Sequence, residues 1–207
     1  MSVFRPFQFI SKIEIEACAL DIWLQMERSQ NQPQLPIDAS IIAEFLDLDL
    51  VWDTIPDDEQ GAIAARILPL EKLIEINENI PQLKGGFGES TIAHEIGHWV
   101  LHIDTQKIDS YLRLKQRGVA VKVKPFLCRS SNLARIEWQA QYFAGCLLMP
   151  QHILTELKRG RDLTQWQHLY QMAGELGVTI SNLTTRLQDL GWINLDPQTR
   201  KIYLNPI

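Results

Sequence analysis

The sequence lacks both a long hydrophobic run and a strong charge bias. No apolar stretch approaches the ~20 residues that a membrane-spanning helix needs. At the N-terminus, Glu14 and Glu16 occur before any long apolar stretch develops, which is not typical of a secretion signal. The net charge of -5 argues against a protein whose whole surface binds nucleic acid. The 207 residues therefore predict a globular protein with one hydrophobic core, or with one core and a small additional segment.

Cysteine is also scarce. Cys18, Cys128 and Cys146 are widely spaced, and none of them belongs to a C-x-x-C pair. The sequence therefore predicts neither a disulfide framework nor a cysteine-based zinc site. An odd number of cysteines without a secretion signal indicates reduced thiols, and so predicts a cytoplasmic protein.

Hydrophobic periodicity predicts helices and a small sheet in the first part of the chain. Apolar residues at steps of three and four predict a helix over residues 12–29, and Asp38 is a suitable N-cap for a second helix. Three extended segments follow, at residues 48–54, 61–68 and 72–80, and we expect them to form a small antiparallel sheet.

Two further helices are predicted on either side of a basic stretch. Residues 90–102 and 135–149 have helical periodicity, and Pro150 ends the second of these helices. Residues 103–136 carry eight Lys or Arg and two Asp, which predicts a basic loop that borders the cleft between the helices. This loop either contacts an acidic partner or DNA, or is simply solvated.

Residues His94 and His98 form the first part of a candidate metal site. Residues four apart on a helix lie about 40° apart on one face, so both imidazoles can reach a single cation. Glu95 projects toward the same cavity at a different angle, where it can accept a proton from water. This H-E-x-x-H arrangement is typical of zinc peptidases, although the spacing also occurs by chance. Gly97 favours the functional interpretation of the motif over chance. A glycine inside a helix costs about 1 kcal/mol of stability relative to alanine, and its presence suggests that another backbone passes close to the helix.

A third ligand must come from a later element, because catalytic zinc sites use three protein ligands and a water. Glu137, at the start of the second helix, is the best candidate. The alternative is a solvated glutamate that the helix dipole favours at this position. Gln141 lies one turn further on the same face, where it can hydrogen-bond a ligating histidine. Ala140 and Ala144 are small enough to let two helices approach closely.

Two motifs resemble the ImmA/IrrE family of metallopeptidases. Residues 91–102 read T-I-A-H-E-I-G-H-W-V-L-H, which is similar to the family pattern F-T-x-A-H-E-x-G-H-x-x-L-H. Residues 137–150 read E-W-Q-A-Q-Y-F-A-G-C-L-L-M-P, which is similar to E-x-x-A-N-x-F-A-x-x-L-L-M-P. Ser90 stands where the family usually has Phe, and Gln141 stands where it usually has Asn. An amide is therefore kept at residue 141, with a longer reach.

This resemblance implies an α+β fold with a zincin-like peptidase domain and an active-site helix. It implies that His94, His98 and Glu137 bind zinc, or alternatively manganese, and that Glu95 is the catalytic base. It also implies a substrate class, namely helix-turn-helix repressors of the Xre type. Their cleavage would switch on stress-response or mobile-element genes.

Peptide hydrolysis also requires a hydrogen-bond donor for the tetrahedral oxyanion. Four polar residues are unranked candidates for this role or for the cleft rim: His102, Tyr111, Arg129 and Tyr142. For His102 a structural or rim position is favoured, because the helix drifts by a further ~40° beyond His98. The strand at residues 72–80 is expected to be the edge strand that pairs with the substrate backbone.

The C-terminal part is predicted to be a separate helical segment. Residues 1–150 are assigned to the peptidase domain and residues 151–207 to this segment. Residues 164–191 have the pattern of a helix-turn-helix, and residues 192–205 are expected to form a wing-like hairpin. DNA binding is one interpretation, and packing on the peptidase domain is the favoured one. The segment has six Lys or Arg against five Asp or Glu, which provides little phosphate neutralisation.

Two functions are therefore compared. The first is an endopeptidase that cleaves a regulatory protein by Glu95-activated hydrolysis. The alternative is a non-catalytic DNA- or protein-binding regulator that retains a zincin fold.

Overall fold

A computed structural model describes residues 2–29, 33–59, 61–80, 86–127 and 134–205. These residues form eight helices and five strands, and this mixed content confirms the predicted α+β class. The elements are α1 Lys12–Arg28, α2 Ala39–Phe45, β1 Asp49–Asp53, β2 Ala65–Leu68, β3 Leu73–Asn77, α3 Gly86–His102, α4 Thr105–Gln116, α5 Ala134–Leu148, α6 Gln151–Leu157, α7 Trp166–Leu176, α8 Ile180–Asp189, β4 Ile193–Leu195 and β5 Ile202–Leu204. Across these described ranges, each helix is too short or too polar to cross a bilayer.

The first three strands form a mixed sheet in the order β1-β3-β2. Strand β3 pairs with β1 in parallel and with β2 in antiparallel orientation. The prediction of an all-antiparallel sheet was wrong for β1, because the alternation of side chains indicates strands without fixing their direction. The prediction that residues 72–80 form the edge strand was also wrong. Strand β3 is central, its residues Ile74 to Asn77 are buried, and β2 is an edge strand.

Helices α3 and α5 are packed against each other at the centre of the molecule. A Cβ atom added to Gly97 would lie 3.0 Å from the carbonyl oxygen and 3.1 Å from the Cα of Ala140. This is the close backbone approach that a glycine inside α3 predicts. Ile96 of α3 and Phe143 of α5 are fully buried near this crossing, so the contact also belongs to the hydrophobic core.

Helix α4 corrects the prediction of a basic loop after α3. Asp104 is its N-cap, and the carboxylate accepts a hydrogen bond from the Lys107 backbone N–H at 3.2 Å. Ile108 is its only buried residue, so the apolar stripe is too narrow to be conspicuous in the sequence. The chain then returns to the sheet, where Phe126 pairs with Ile67 of β2 through two backbone hydrogen bonds of 2.8 and 3.2 Å.

The C-terminal segment contains the expected helix pair and hairpin. Gly177 ends α7 in the left-handed conformation, with φ of 69°, and Thr179 caps α8. Strands β4 and β5 form the antiparallel hairpin. Arg186 of α8 is only 2% exposed, and its guanidinium donates to the Glu16 carboxylate of α1 at 2.9 Å. It also donates to the Met149 carbonyl at 3.1 Å, so α8 is attached to both α1 and the end of α5.

Candidate metal centre

Three potential ligand atoms converge between α3 and α5. The Nε2 atoms of His94 and His98, one helical turn apart, lie 3.0 Å from each other. Glu137, in the first turn of α5, places its Oε2 atom 3.1 Å from His94 Nε2 and 3.7 Å from His98 Nε2. Helix α3 thus supplies two of the atoms and α5 the third, and the close approach at Gly97 holds the two helices in this relation.

This geometry fits a tetrahedral metal ion. Nitrogen and oxygen ligands that bind zinc at 2.0–2.2 Å lie about 3.3–3.6 Å from one another. The observed separations of 3.0–3.7 Å bracket that range. Two imidazoles and one carboxylate also form a ligand set used by catalytic zinc sites, which leave a fourth position for water or substrate. The donor atoms of His94, His98 and Glu137 are therefore suitable for zinc in both spacing and chemistry.

The two histidines have different electrostatic surroundings. Burial lowers the pKa of His98 to about 4, so its ring is neutral at pH 7. Burial also lowers the pKa of His94, but the hydrogen bond with Glu137 and the nearby Glu95 carboxylate outweigh it and raise the pKa overall. A bound cation opposes protonation of both rings, because a metal ligand must offer an unprotonated nitrogen.

The Glu95 side chain lies beside the three ligand atoms without belonging to their cluster. It is 5% exposed, and its Oε2 atom is buried and accepts no hydrogen bond from any part of the chain that the structure describes. Burial is the main reason that its pKa rises to about 7, and the Glu137 charge adds to the effect. A buried carboxyl oxygen without a donor, beside a candidate metal site, is a suitable acceptor for a proton from water.

An open cavity of about 380 Å³ lies in front of this cluster. His94, Glu95 and Glu137 line one side of it, and residues at the start of β2 line another. A second cavity of about 350 Å³ continues along α5 and α8. The two cavities share Ser90, Gln141 and Asn182. The two cavities therefore adjoin each other along these shared residues.

The other predicted site residues lie at different distances from this centre. Gln141 lines the cavity, and its side-chain hydrogen bond contributes to the raised pKa of His94. Tyr142 lines only the adjoining cavity, and its hydroxyl donates to Glu16 at 2.9 Å. Tyr111 of α4 packs against the core and is not among the residues that line the metal-site cavity. Arg129 lies outside the described residues.

His102 lies behind the ligands rather than at the rim. Its Nδ1 atom is 3.0 Å from His98 Nδ1, and its Nε2 atom is 2.9 Å from Gln139 Oε1. Sequence reasoning missed Gln139, which is fully buried. A signal was present, because Gln139 lies three residues after Ile136 and four before Phe143, on the stripe of α5 that faces the core.

Comparisons with known proteins identify a family for this chain and a solved structure with a similar fold. A family model for Peptidase M78, described as the IrrE N-terminal-like domain, matches residues 55–188. No curated protein matches the sequence significantly. A solved structure of a Mycobacterium tuberculosis transcriptional regulator has a similar fold, with 17% sequence identity and a TM-score of 0.50. The match covers 92% of this chain and 55% of that chain, so this chain spans about half the length of the regulator.

Proposed function

The chain belongs to the Peptidase M78 family, the IrrE N-terminal-like metallopeptidases, and on this premise we propose that it is a zinc-dependent endopeptidase that cleaves a regulatory protein. One observation carries the proposal. The ligand atoms of His94, His98 and Glu137 converge beside the buried carboxyl of Glu95, at an open cavity.

Each residue of the cluster has a chemical role in this proposal. His94, His98 and Glu137 would hold the ion through two nitrogens and one oxygen. Zinc supplies Lewis acidity there, and manganese is the alternative ion. Glu95 accepts the proton of the attacking water and returns it to the leaving amine. Its Oε2 atom suits this role, because within the described ranges no donor already occupies it.

The substrate backbone is proposed to pair with the outer edge of β2. Ala64 accepts a hydrogen bond from Asn77 of β3, whereas the backbone of Ile67 bonds outward to Phe126. Backbone groups of alternate residues point the same way along a strand, so Ala65 directs its N–H and C=O outward like Ile67. Ala65 also lines the metal-site cavity. A peptide added beside it would pass in front of Glu95 by β-augmentation.

A helix-turn-helix repressor is the proposed substrate class. The resemblance to ImmA/IrrE peptidases implies it, and the structural neighbour is itself named a transcriptional regulator. Cleavage of such a repressor would switch on stress-response or mobile-element genes. The described cysteines, Cys18 and Cys146, are both free, which favours a reducing compartment such as the cytoplasm.

DNA binding through α7 and α8 is the weaker alternative. The pair has the helix, glycine turn and second helix of a helix-turn-helix pattern, but the second helix directs Arg186 into the interior toward Glu16. A recognition helix instead needs its basic side chains at the groove. We therefore propose that α8 forms a wall of the substrate cleft, to which it contributes Asn182 and Thr185.

Comparison of newly formed protein N-termini in cells tests the function. Cells that express the wild-type chain should accumulate at least one new N-terminus within a regulatory protein. Cells that express Glu95→Gln at the same level should not, although the purified variant still binds one zinc ion. Identical sets of N-termini in the two cultures would contradict the peptidase function.

A further inference from the structure

A chain of hydrogen bonds leads from His98 into the core. His98 Nδ1 lies 3.0 Å from His102 Nδ1, and His102 Nε2 lies 2.9 Å from Gln139 Oε1. The Gln139 amide nitrogen then donates to the backbone carbonyl of Gln8 at 3.1 Å. The chain thus connects a proposed metal ligand on α3, through α5, to the N-terminal segment before α1.

The end of this chain fixes the direction of every hydrogen bond in it. The carbonyl oxygen of Gln8 can only accept, so Gln139 must present its NH₂ group to Gln8 and its oxygen to His102. With neutral rings, His102 then carries its proton on Nε2 and accepts at Nδ1. His98 in turn carries its proton on Nδ1 and keeps a lone pair on Nε2. That nitrogen is the one that faces His94 and Glu137.

We propose that His102 and Gln139 are positioning residues that set the tautomer and ring orientation of His98 for metal binding. The inference rests on the proposed function, since it concerns a ligand of the proposed metal. It assigns His102 a role other than oxyanion stabilisation, because its ring lies behind His98, with both ring nitrogens paired to His98 and Gln139.

Burial limits how well solvent can replace these partners. His98 and Gln139 are fully buried, and His102 is 8% exposed. If residue 102 offers no acceptor, the His98 Nδ1–H loses this hydrogen bond, and the alternative tautomer would place a proton on the ligating nitrogen. Removal of such a partner typically weakens metal binding by about 10- to 100-fold.

Substitutions at His102 distinguish the effect of its hydrogen-bond acceptor from the effect of its packing in the core. Asn carries its amide oxygen on Cγ, the atom that bears Nδ1 in histidine, so His102→Asn retains an acceptor for His98. Gln carries its amide one carbon further out, near the position of Nε2 in histidine, so it has no acceptor at the position of Nδ1. Leu has no polar atom in its side chain. We expect His102→Leu and His102→Gln to weaken zinc binding by about 10- to 100-fold, and His102→Asn to retain most of the affinity.

The readout is the zinc dissociation constant of the full chain, measured by competition with a chelator, together with the melting temperature of the metal-free form. Gln139→Leu serves as a second variant if His102→Leu does not fold, and we expect it to weaken zinc binding as well. His168→Asn is the matched control, because this half-buried histidine of α7 hydrogen-bonds to the Asp162 backbone, is not among the residues that line the metal-site cavity, and should leave zinc affinity unchanged.

The outcomes distinguish this inference from the proposed function. If the wild-type chain binds no zinc, the metal-site proposal itself fails. If the wild-type binds zinc and His102→Leu binds it equally well, only the positioning role is overturned. Equal losses for His102→Asn and His102→Leu at unchanged melting temperatures would likewise overturn the acceptor role.

Discussion

Helix pairs α3–α5 and α7–α8 both bury ionisable side chains, but they direct them differently. In α3–α5, Glu95 and His98 are buried, and Glu95 lines an open cavity. In α7–α8, Arg186 is buried toward α1, where Glu16 neutralises it. Burial is similar in both pairs. In α3–α5 it places an ionisable group beside a cavity, whereas in α7–α8 it forms an ion pair that attaches α8 to α1. The burial of an ionisable side chain therefore indicates function only when the direction of that side chain is also known.

The largest expected effect is the loss of catalysis on the α3–α5 side of this comparison. Glu95→Gln removes the proton acceptor while preserving the size of the side chain. We expect cleavage of the cellular substrate to slow by at least about 100-fold, because general acid–base catalysis contributes 10²–10⁴. Glu156→Gln, an exposed change on α6, is the control and should cleave at the wild-type rate. A wild-type rate for Glu95→Gln would contradict the proposal that the buried carboxyl of α3 takes part in catalysis.

On the α7–α8 side, the largest effect should be on stability. Glu16→Ala leaves the buried guanidinium of Arg186 without a carboxylate, which should lower the free energy of unfolding by about 3 kcal/mol. The double variant Glu16→Leu, Arg186→Met replaces both charges by apolar groups and should recover most of this loss. Urea denaturation measures both. A loss near zero for Glu16→Ala would show that Arg186 does not depend on this pair.

Two glycine substitutions compare how tightly α3 packs at Gly97 with how tightly α7 packs at Gly174. Gly97→Ala forces a Cβ to within 3.0 Å of the Ala140 carbonyl oxygen, so we expect a loss of about 1–3 kcal/mol and weaker zinc binding. Gly174→Ala in α7 meets no atom within 4 Å, so it should gain up to about 1 kcal/mol from helix propensity. Thermal unfolding of the two variants tests this. Equal effects would mean that the α3–α5 contact is no tighter than the surface of α7.

The smallest expected effect is on the pH dependence of stability. Burial opposes ionisation of Glu16, but the hydrogen bond and charge of Arg186 outweigh it and lower the pKa of Glu16 below its usual 4.5. A lowered folded-state pKa adds stability that is present above pH 4.5 and is lost as pH falls through the folded-state value. The difference in unfolding free energy between wild type and Glu16→Gln should therefore shrink below pH 4.5. A difference that stays constant from about pH 7 to pH 3 would contradict this linkage.

Local spacing predicted the parts of the molecule that depend on one helix. The periodicity of residues 12–29, 90–102 and 135–149 corresponds to α1, α3 and α5. The step of four residues between His94 and His98 was sufficient to place both rings on one face. Gly97 also indicated the close approach of another backbone, which the structure shows to be that of Ala140.

Features that depend on contacts between distant segments were not accessible in this way. Periodicity does not encode strand direction, so the parallel pairing of β1 with β3 was missed. Helix α4 buries only Ile108, so the sequence of this stretch predicts a loop instead of a helix. The position of Glu137 beside the histidines was inferred mainly from a family resemblance. The roles of Gln139 and Arg186 depend on partners more than 100 residues away, namely Gln8 and Glu16.

The most direct test of the metal site is to locate zinc by anomalous diffraction in crystals of the zinc-loaded protein. We expect one ion within about 2.0–2.2 Å of the Nε2 atoms of His94 and His98 and of a Glu137 carboxylate oxygen. Glu95 should lie beside the ion without binding it. A zinc ion held elsewhere, or one bound here without Glu137, would contradict the central claim.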